Sequence, residues 1–449
     1  MALKALDIFK LTPKKNCKEC GFPTCMAFSM KVAGGAIEVS ACPYMSDEAI
    51  QKLSEATAPP MKTIKVGAGE NEYTLGGETV LFRHEKTLVS KNRYAVAFCD
   101  CMDDEKVDSK IANIKAVEYE RIGEIMKVEF ACVTYNGNKD KFLSIINKLK
   151  SETSVAFILN VDDAEVAKEA VAALAGLNPV VVGATKENYQ AMIDVVKADN
   201  LALGVKAASL EELYETVELI QKADYKELIL DVTAENVKDT YVNAVQVRRA
   251  ALKEQDRTFG YPSIVFVNKL SNGNEMMEVA LSSAFTIKYG SIIVIDDISY
   301  AKALPLYALR QNLYTDPQKP MRVETKVYPI NNPDENSPVL VTVDFALTYF
   351  VVTGELERSK VPCWLVVPDA GGYSVLTSWS AGKFGGSVIG NFVKECGIAD
   401  MTKSRDLIIP GKVAVIQADV QDNLPDWNVI VGTPEAMELP KFLKERYGK

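Results

Sequence analysis

The chain has 449 residues, a net charge of −9, and ordinary shares of apolar (48%) and charged (25%) residues. That length exceeds a single core and points to two or three domains. An acidic chain without basic runs argues against nucleic acid and anionic membrane as partners, and no apolar run reaches the roughly 18 residues of a membrane-spanning helix.

At the N-terminus, Met1 to Lys15 carry Lys4, Lys10, Lys14 and Lys15 but neither an apolar signal core nor a cleavage site. A cytoplasmic protein with reduced thiols is therefore expected. Cys17, Cys20, Cys25 and Cys42 follow, spaced C-x2-C-x4-C-x16-C. Gly21 and Pro23 favour a compact turn, so three sulfurs can converge, with the fourth arriving after a helix-like stretch. Four-cysteine ligation is usual for iron–sulfur clusters. A structural zinc site also uses four thiolates, but favours two well-separated knuckles. The pattern favours a [4Fe–4S] cluster, with [2Fe–2S] and zinc as alternatives, and defines a cysteine module over residues 1–57.

Residues 58–92 read as a linker with a short hairpin. Ala58-Pro59-Pro60 and Gly67, Gly69, Gly76 and Gly77 mark it, and Thr63–Val66 and Thr79–Phe82 are the candidate strands. His84 is the only histidine. In Arg83-His84-Glu85-Lys86 it reads as a surface or salt-bridged residue. Without further imidazoles the chain has little histidine-based acid–base or metal chemistry, so a cofactor is expected to supply the reactivity.

From residue 93 to 315, β-branched runs alternate with amphipathic helical stretches. The predicted strands are Tyr94–Cys99, Lys127–Thr134, Val155–Val161, Val180–Gly183, Leu201–Val205, Leu228–Val232, Ser263–Val267 and Ile292–Ile295. The predicted helices include Lys139–Lys150, Ala164–Ala175, Lys186–Ala198, Leu210–Ala223, Ala234–Lys253, Glu275–Lys288 and Ala301–Asn312. Eight such units in roughly 220 residues match a (β/α)8 TIM barrel, with an open doubly wound sheet as runner-up. Asp100, Asn160, Asp162, Asp231, Asn268, Asp296 and Asp297 fall at strand C-termini, where barrel sites lie. Polar residues also end strands and cap helices there, so a docking or scaffold barrel is the preferred reading. Cys99 and Cys101, with Cys132, Cys363 and Cys396, read as small buried apolar residues.

Beyond the Pro- and Asn-rich stretch 315–334, residues 325–449 form an α/β domain. The predicted strands are Val339–Phe345, Trp364–Pro368, Val413–Gln417 and Val429–Val431. The stretches Leu347–Lys360, Gly382–Cys396 and Pro434–Tyr447 read as helical, which implies a parallel sheet with helices on its faces. Glycine- and hydroxyl-rich loops, Asp369-Ala370-Gly371-Gly372-Tyr373-Ser374-Val375-Leu376-Thr377 and Gly432-Thr433-Pro434-Glu435-Ala436, suit a large flat ligand rich in amides. A G-x-G-x-x-G fingerprint is absent.

Asn16-Cys17-x-x-Cys20-Gly21-x-Pro23-Thr24-Cys25, the eight-unit barrel, and a C-terminal domain with Ser374-Val375-Leu376-Thr377 and Gly382-Lys383-Phe384 resemble one family along essentially the whole chain. It is the large (gamma) subunit of corrinoid iron–sulfur proteins of the acetyl-CoA (Wood–Ljungdahl) pathway. The resemblance implies a carrier subunit of a methyltransferase/acetyl-CoA synthase system. A corrinoid in a Rossmann-like C-terminal domain would accept a methyl group from methyltetrahydrofolate through a methyltransferase. It would deliver that methyl to carbon monoxide dehydrogenase/acetyl-CoA synthase, while a [4Fe–4S] cluster on Cys17, Cys20, Cys25 and Cys42 returns Co(II) to Co(I). The corrinoid contacts it implies are Thr342, Thr348, Gly372, Tyr373, Ser374, Val375, Leu376 and Thr377, then Gly432, Thr433 and Ala436. It also implies a heterodimer with a smaller barrel subunit. The single histidine lies outside the third domain and Asp-x-His-x-x-Gly is missing, so a base-off corrinoid without a protein ligand to cobalt is expected. A barrel methyltransferase acting on a methylated pterin and a plain iron–sulfur electron-transfer protein are the alternatives.

Overall fold

The structure, a computed structural model, describes residues 5–33, 37–46, 48–50, 53 and 59–448. It divides into two compact units. One comprises Met1–Glu118 and Lys127–Tyr314, the other Tyr119–Met126 and Thr315–Lys449. No helix among the described residues is long and apolar enough to cross a membrane.

The first unit opens with helices Ala5–Leu11 and Cys25–Ala33. Ile8, Phe28 and Val32 from these helices share a small core with Val39, Met45 and Leu53. Next, β1 (Ile64–Val66) pairs antiparallel with β2 (Tyr73–Leu75). The predicted second strand Thr79–Phe82 is therefore displaced. Gly76 and Gly77, at φ +77° and +75°, turn the chain out of the ladder after Leu75. Beyond them the buried Glu78 carboxylate accepts the N–H groups of Val89 and Ser90 at 3.0 and 3.1 Å, so a side chain takes the place of a strand partner. Ala58 of the expected linker lies outside the described residues. From Pro59 on, the chain is fastened: Arg257 donates to Pro59 O, and Lys62 N–H donates to Gly260 O at 2.8 Å.

β3 (Arg93–Cys99) is followed by helix Asp104–Ala116, the helical partner of the first of the eight expected units. Then β4 (Glu118–Arg121) and β5 (Glu124–Lys127) form a two-stranded sheet turned through Ile122 and Gly123, both at positive φ. That hairpin splits the predicted strand Lys127–Thr134, and the barrel strand β6 begins at Phe130 and ends at Thr134. β7 (Ala156–Asn160), β8 (Val180–Ala184), β9 (Leu203–Val205), β10 (Leu228–Asp231), β11 (Ser263–Phe266) and β12 (Ile292–Ile295) complete the set. Strands β3 and β6 to β12 form one closed, all-parallel barrel, sealed where β12 pairs with β3, Ile292 opposite Arg93. Both faces of such strands are covered, which explains apolar runs such as Val180-Val181-Val182.

Polar residues at the barrel mouth are largely committed to structure. Asp103, Asn138, Asp163, Ser209, Asn236, Asn274 and Ser299 each cap the helix that follows. Asp100 accepts the N–H groups of Asn136 and Asn138, Asn160 donates to Thr134, and Asp162 pairs with Lys206. Asp296 pairs with the buried Lys110, and Asp297 accepts from Asn113. Asp231 accepts the Thr233 N–H, and burial pushes its carboxyl upward. The Asn268 Oδ1 is buried without a hydrogen-bond partner.

In the second unit, β14 (Val339–Val341), β15 (Cys363–Val366), β16 (Asp406–Ile409) and β17 (Asn428–Val431) form a parallel sheet in the order β15-β14-β16-β17. β13 (Val327–Ile330) adds an antiparallel edge beside β15. One face buries Val339, Val341, Val366, Leu407 and Ile409 with Phe384, Ile389 and Val393. The other buries Leu340, Leu365, Ile408 and Ile430 with Leu356 and Leu443, and Ile122 of the β4–β5 hairpin packs there. The predicted strand Val413–Gln417 is instead a 3-10 turn, Gly411–Ile416, running into helix Gln417–Asn423. Val413 and Ile416 are buried while Val415 is exposed, a three-residue spacing that belongs to a helical turn. The real strand, Asp406–Ile409, lies just upstream.

At the N-terminal end of the barrel, the helix Tyr300–Leu313 is pinned to the first strands by a buried ion pair. Arg310, 2% exposed, donates to Glu129 Oε1 at 2.5 Å and to Asn92 O at 3.0 Å, while Glu129 Oε2 accepts the Tyr94 N–H at 3.1 Å. Glu129→Ala leaves Arg310 without its counter-charge in a dry site. It should destabilise the protein by about 3–5 kcal/mol in denaturant titration.

Candidate functional site

The cysteine module is organised by its loop. Lys14, Asn16, Lys18 and Gly21 all have positive φ, winding residues 14–21 back on themselves. Asn16 closes the loop: its Oδ1 accepts the Cys25 N–H at 2.8 Å, and its own N–H donates to Cys25 Sγ at 3.4 Å. Tyr44, two residues past Cys42, donates to Glu19 at 2.8 Å, so the turn holding Cys20 is tied to the segment holding Cys42. Cys42 is part of the small core, Cys20 packs against it, and Cys25 is buried. Cys17 is half-buried outside that cluster. All four are free thiols. Among the described residues, no group of three or more His, Cys, Asp and Glu is arranged as a metal-ligand set. The chemistry of the donors nonetheless fits an iron–sulfur cluster: four thiols on one small module, with a backbone N–H already directed at one sulfur.

A second site lies at the C-terminal ends of the parallel strands in the second unit. The crossover from β14 runs to β15 on one side, whereas that from its neighbour β16 runs to β17 on the other, so the two connections diverge between β14 and β16. Ligands of open α/β sheets bind at such a switch point. A cavity of about 310 Å³ occupies it. Thr342 from the end of β14, Ile409 and Pro410 from the end of β16, Thr348 and Val352 from helix Ala346–Ser359, and Ser374, Val375 and Leu376 line it. Gly432, Thr433 and Ala436 from the loop after β17 complete the wall. Gly372, Tyr373 and Thr377 do not line it, although Thr377 Oγ1 lies 3.0 Å from Ser374 Oγ. Leu347, Val351, Lys412 and Glu435 also line the cavity, the first three outside the loops read from the sequence. Glu435 lies within the predicted Gly432–Ala436 loop, and it pairs with Lys412 at 2.9 Å.

Backbone contacts shape this cavity. A Cβ on Gly411 would sit 2.5 Å from Gly432 O, so the loops after β16 and β17 meet main chain to main chain. Asp344, 1% exposed, accepts the N–H groups of Ala370 and Gly372 at 3.1 and 2.9 Å through Oδ1. Arg322 lies 3.6 Å from its other oxygen. One buried carboxylate thus holds the Gly371-Gly372 turn that delivers Ser374 to Leu376. Thr342 is 2% exposed, and its Oγ1 has no hydrogen-bond partner. A buried hydroxyl left unpaired at a cavity wall is a donor awaiting a ligand acceptor. Around it Leu347, Val351 and Leu376 are largely exposed apolar side chains. The combination fits a large ring system with an apolar rim and amide substituents.

His84 belongs to the first unit, stacked on Phe82 with ring centroids 5.6 Å apart. The second unit contains no histidine.

Residues 63–443 match the family described as CO dehydrogenase/acetyl-CoA synthase delta subunit, and residues 13–44, which include all four N-terminal cysteines, match one described as putative Fe-S cluster. The chain is 38% identical over 445 residues to the corrinoid/iron-sulfur protein large subunit of Moorella thermoacetica, covering 99% of each chain. It is 35% identical to the acetyl-CoA decarbonylase/synthase complex subunit gamma of Methanopyrus kandleri, covering 99% of this chain and 98% of that one. The corresponding subunit of Methanocaldococcus jannaschii is 30% identical, covering 100% and 97%. The delta description spans only the part after the cysteines, whereas the large and gamma subunits align along nearly the whole chain, so the latter carry the assignment. The chain belongs to the family of corrinoid/iron–sulfur protein large subunits, which includes the gamma subunits of acetyl-CoA decarbonylase/synthase complexes.

Proposed function

We propose that the chain is a methyl-group carrier. A methyl group passes from methyltetrahydrofolate, through a separate methyltransferase, to this chain and then to acetyl-CoA synthase. When bound, a corrinoid supplies the cobalt nucleophile for this exchange, and a [4Fe–4S] cluster supplies single electrons that restore that nucleophile after oxidation. The unpaired Thr342 hydroxyl, in an open apolar crevice at the switch point of a parallel sheet, is the observation that carries the reading. It is supported by membership in a family whose relatives are named for a corrinoid.

In this reading Thr342 hydrogen-bonds a corrinoid amide. Thr348, Ser374 and Thr433 offer further neutral partners, and Val375, Leu376, Gly432 and Ala436 provide close apolar contact. Gly372, Tyr373 and Thr377 serve at the rim, through the turn that Asp344 holds. Cys17, Cys20, Cys25 and Cys42 hold the cluster. Without a histidine in the second unit, no imidazole there is available as an axial ligand, which favours the base-off, easily reduced state. The exposed Leu347, Val351 and Leu376 leave one side of the crevice open to a smaller subunit and to the two methyl-exchanging enzymes.

Thr342→Val separates binding from folding. Removing an unpaired buried hydroxyl should raise the stability of the ligand-free protein by about 1 kcal/mol, while corrinoid affinity falls by about fivefold to tenfold. Anaerobic corrinoid titration followed by absorbance, beside thermal melts of the ligand-free protein, reads both. Unchanged affinity would remove Thr342 from the site.

For the cluster, each of Cys17→Ala, Cys20→Ala, Cys25→Ala and Cys42→Ala should lower the iron content of anaerobically prepared protein while corrinoid binding persists. Wild-type iron content in any of the four contradicts its ligand role. Paramagnetic resonance of the Co(II) form is expected to lack superhyperfine splitting from an axial nitrogen; such splitting would contradict the base-off state.

A further inference from the structure

Cys99 and Cys101, expected as buried apolar thiols, are bonded to each other. Cys99 ends β3 and is half-buried, and Cys101, two residues on, is exposed. We propose that this Cys-Asp-Cys turn is a reversible thiol–disulfide exchange site at the barrel mouth, serving a low-molecular-weight thiol/disulfide couple.

Three observations separate the pair from a structural crosslink and from ordinary buried thiols. First, the bond joins residues separated by one position, with Cα atoms 5.1 Å apart. It closes a loop too short to constrain the unfolded chain appreciably. Second, the turn is held by something other than the disulfide. Asp100 Oδ2 accepts the N–H groups of Asn136 and Asn138 at 2.9 and 2.8 Å, Asp100 N–H donates to Thr134 O, and Met102 N–H donates to Cys99 O. The two sulfurs therefore stay adjacent when the bond opens, so re-closure is effectively intramolecular. Third, Cys99 Sγ accepts two hydrogen bonds, from Cys101 N–H at 3.1 Å and Asn136 Nδ2 at 2.9 Å. Both favour a thiolate there, against the opposing Asp100 carboxylate, whose Oδ1 lies 3.8 Å away. By contrast, burial pushes the Cys132 and Cys363 thiols up to about 12, which leaves them unreactive.

The exchange follows from this arrangement. A small thiolate RS⁻ attacks the accessible Cys101 sulfur and the Cys99–Cys101 bond breaks. Cys99 leaves as a thiolate received by its two N–H donors. A second RS⁻ then attacks the sulfur of the RS group on Cys101, releasing RSSR. The net reaction converts the disulfide and two RSH into two cysteine thiols and RSSR, the two protons of RSH ending on Cys99 and Cys101. Oxidation by RSSR is the reverse.

The test uses the full-length protein, prepared anaerobically and equilibrated in buffers of varied reduced-to-oxidised glutathione ratio. Samples are quenched with iodoacetamide, digested, and the peptide containing residues 99–101 is weighed. It should pass from doubly alkylated to disulfide-bonded as the ratio falls, while the peptides of Cys132 and Cys363 remain thiols. Cys99→Ser should leave Cys101 as a glutathione mixed disulfide, and Cys101→Ser should leave Cys99 unmodified. Asn136→Ala should slow reductive opening several-fold. A peptide that stays doubly alkylated in fully oxidised buffer, or disulfide-bonded in the most reducing one, overturns the exchange site. Unchanged opening in Asn136→Ala overturns Cys99 as the leaving thiolate.

Discussion

The order β15-β14-β16 is the constraint on which the second site depends. Parallel strands need crossover connections, and right-handed crossovers running in opposite directions, from β14 to β15 and from β16 to β17, cover opposite faces of the sheet. Two apolar cores follow, one on each face. A gap between the diverging connections also follows, at the strand C-termini. Every wall of the crevice is a consequence of this arrangement: Thr342 ends the strand at the divergence, Pro410 ends its neighbour, and the loops carrying Ser374 and Gly432 border the gap.

What turns a gap into a shaped site is a single buried carboxylate. Asp344 accepts two backbone N–H groups from the Ala370–Gly372 turn, with Arg322 beside it. Gly372 has φ +74°, and a Cβ there would meet Arg322 Cγ at 2.6 Å. The glycine pair is thus required by the turn and by its neighbour together. The cysteine module uses a similar economy. Asn16 and Tyr44 fold a short loop around the cysteines through three hydrogen bonds, in a segment with little core of its own.

The barrel was legible because its signal is long-range and redundant. Eight apolar runs at regular intervals survive errors at any one of them. Ser374 to Leu376 and Gly432 to Ala436 were legible as loop chemistry and through family resemblance. Other features were hidden for identifiable reasons. Val413-Ala414-Val415-Ile416 has the composition of a strand, but only Val413 and Ile416 face inward, and a four-residue apolar run does not reveal its period. Asp406–Ile409 is as short, and its flanking Arg405 and Pro410 disguise it. The β4–β5 hairpin was hidden because Ile122 and Gly123 carry no strong turn signature, and because its tip packs against residues some two hundred positions away. Lys412 reaches the crevice only through tertiary contact. Cys99 and Cys101 lacked any cue for pairing, since the argument from compartment pointed to free thiols.

The central claim is that the corrinoid sits in the second unit and that the barrel serves as scaffold. Hydrogen exchange of the full chain, with and without added corrinoid under anaerobic conditions, tests it most directly. The account predicts slowed exchange in residues 371–377 and 432–436, with the barrel mouth around Asp231 and Asn268 unchanged. Protection confined to the barrel mouth, with none in those two loops, would contradict it.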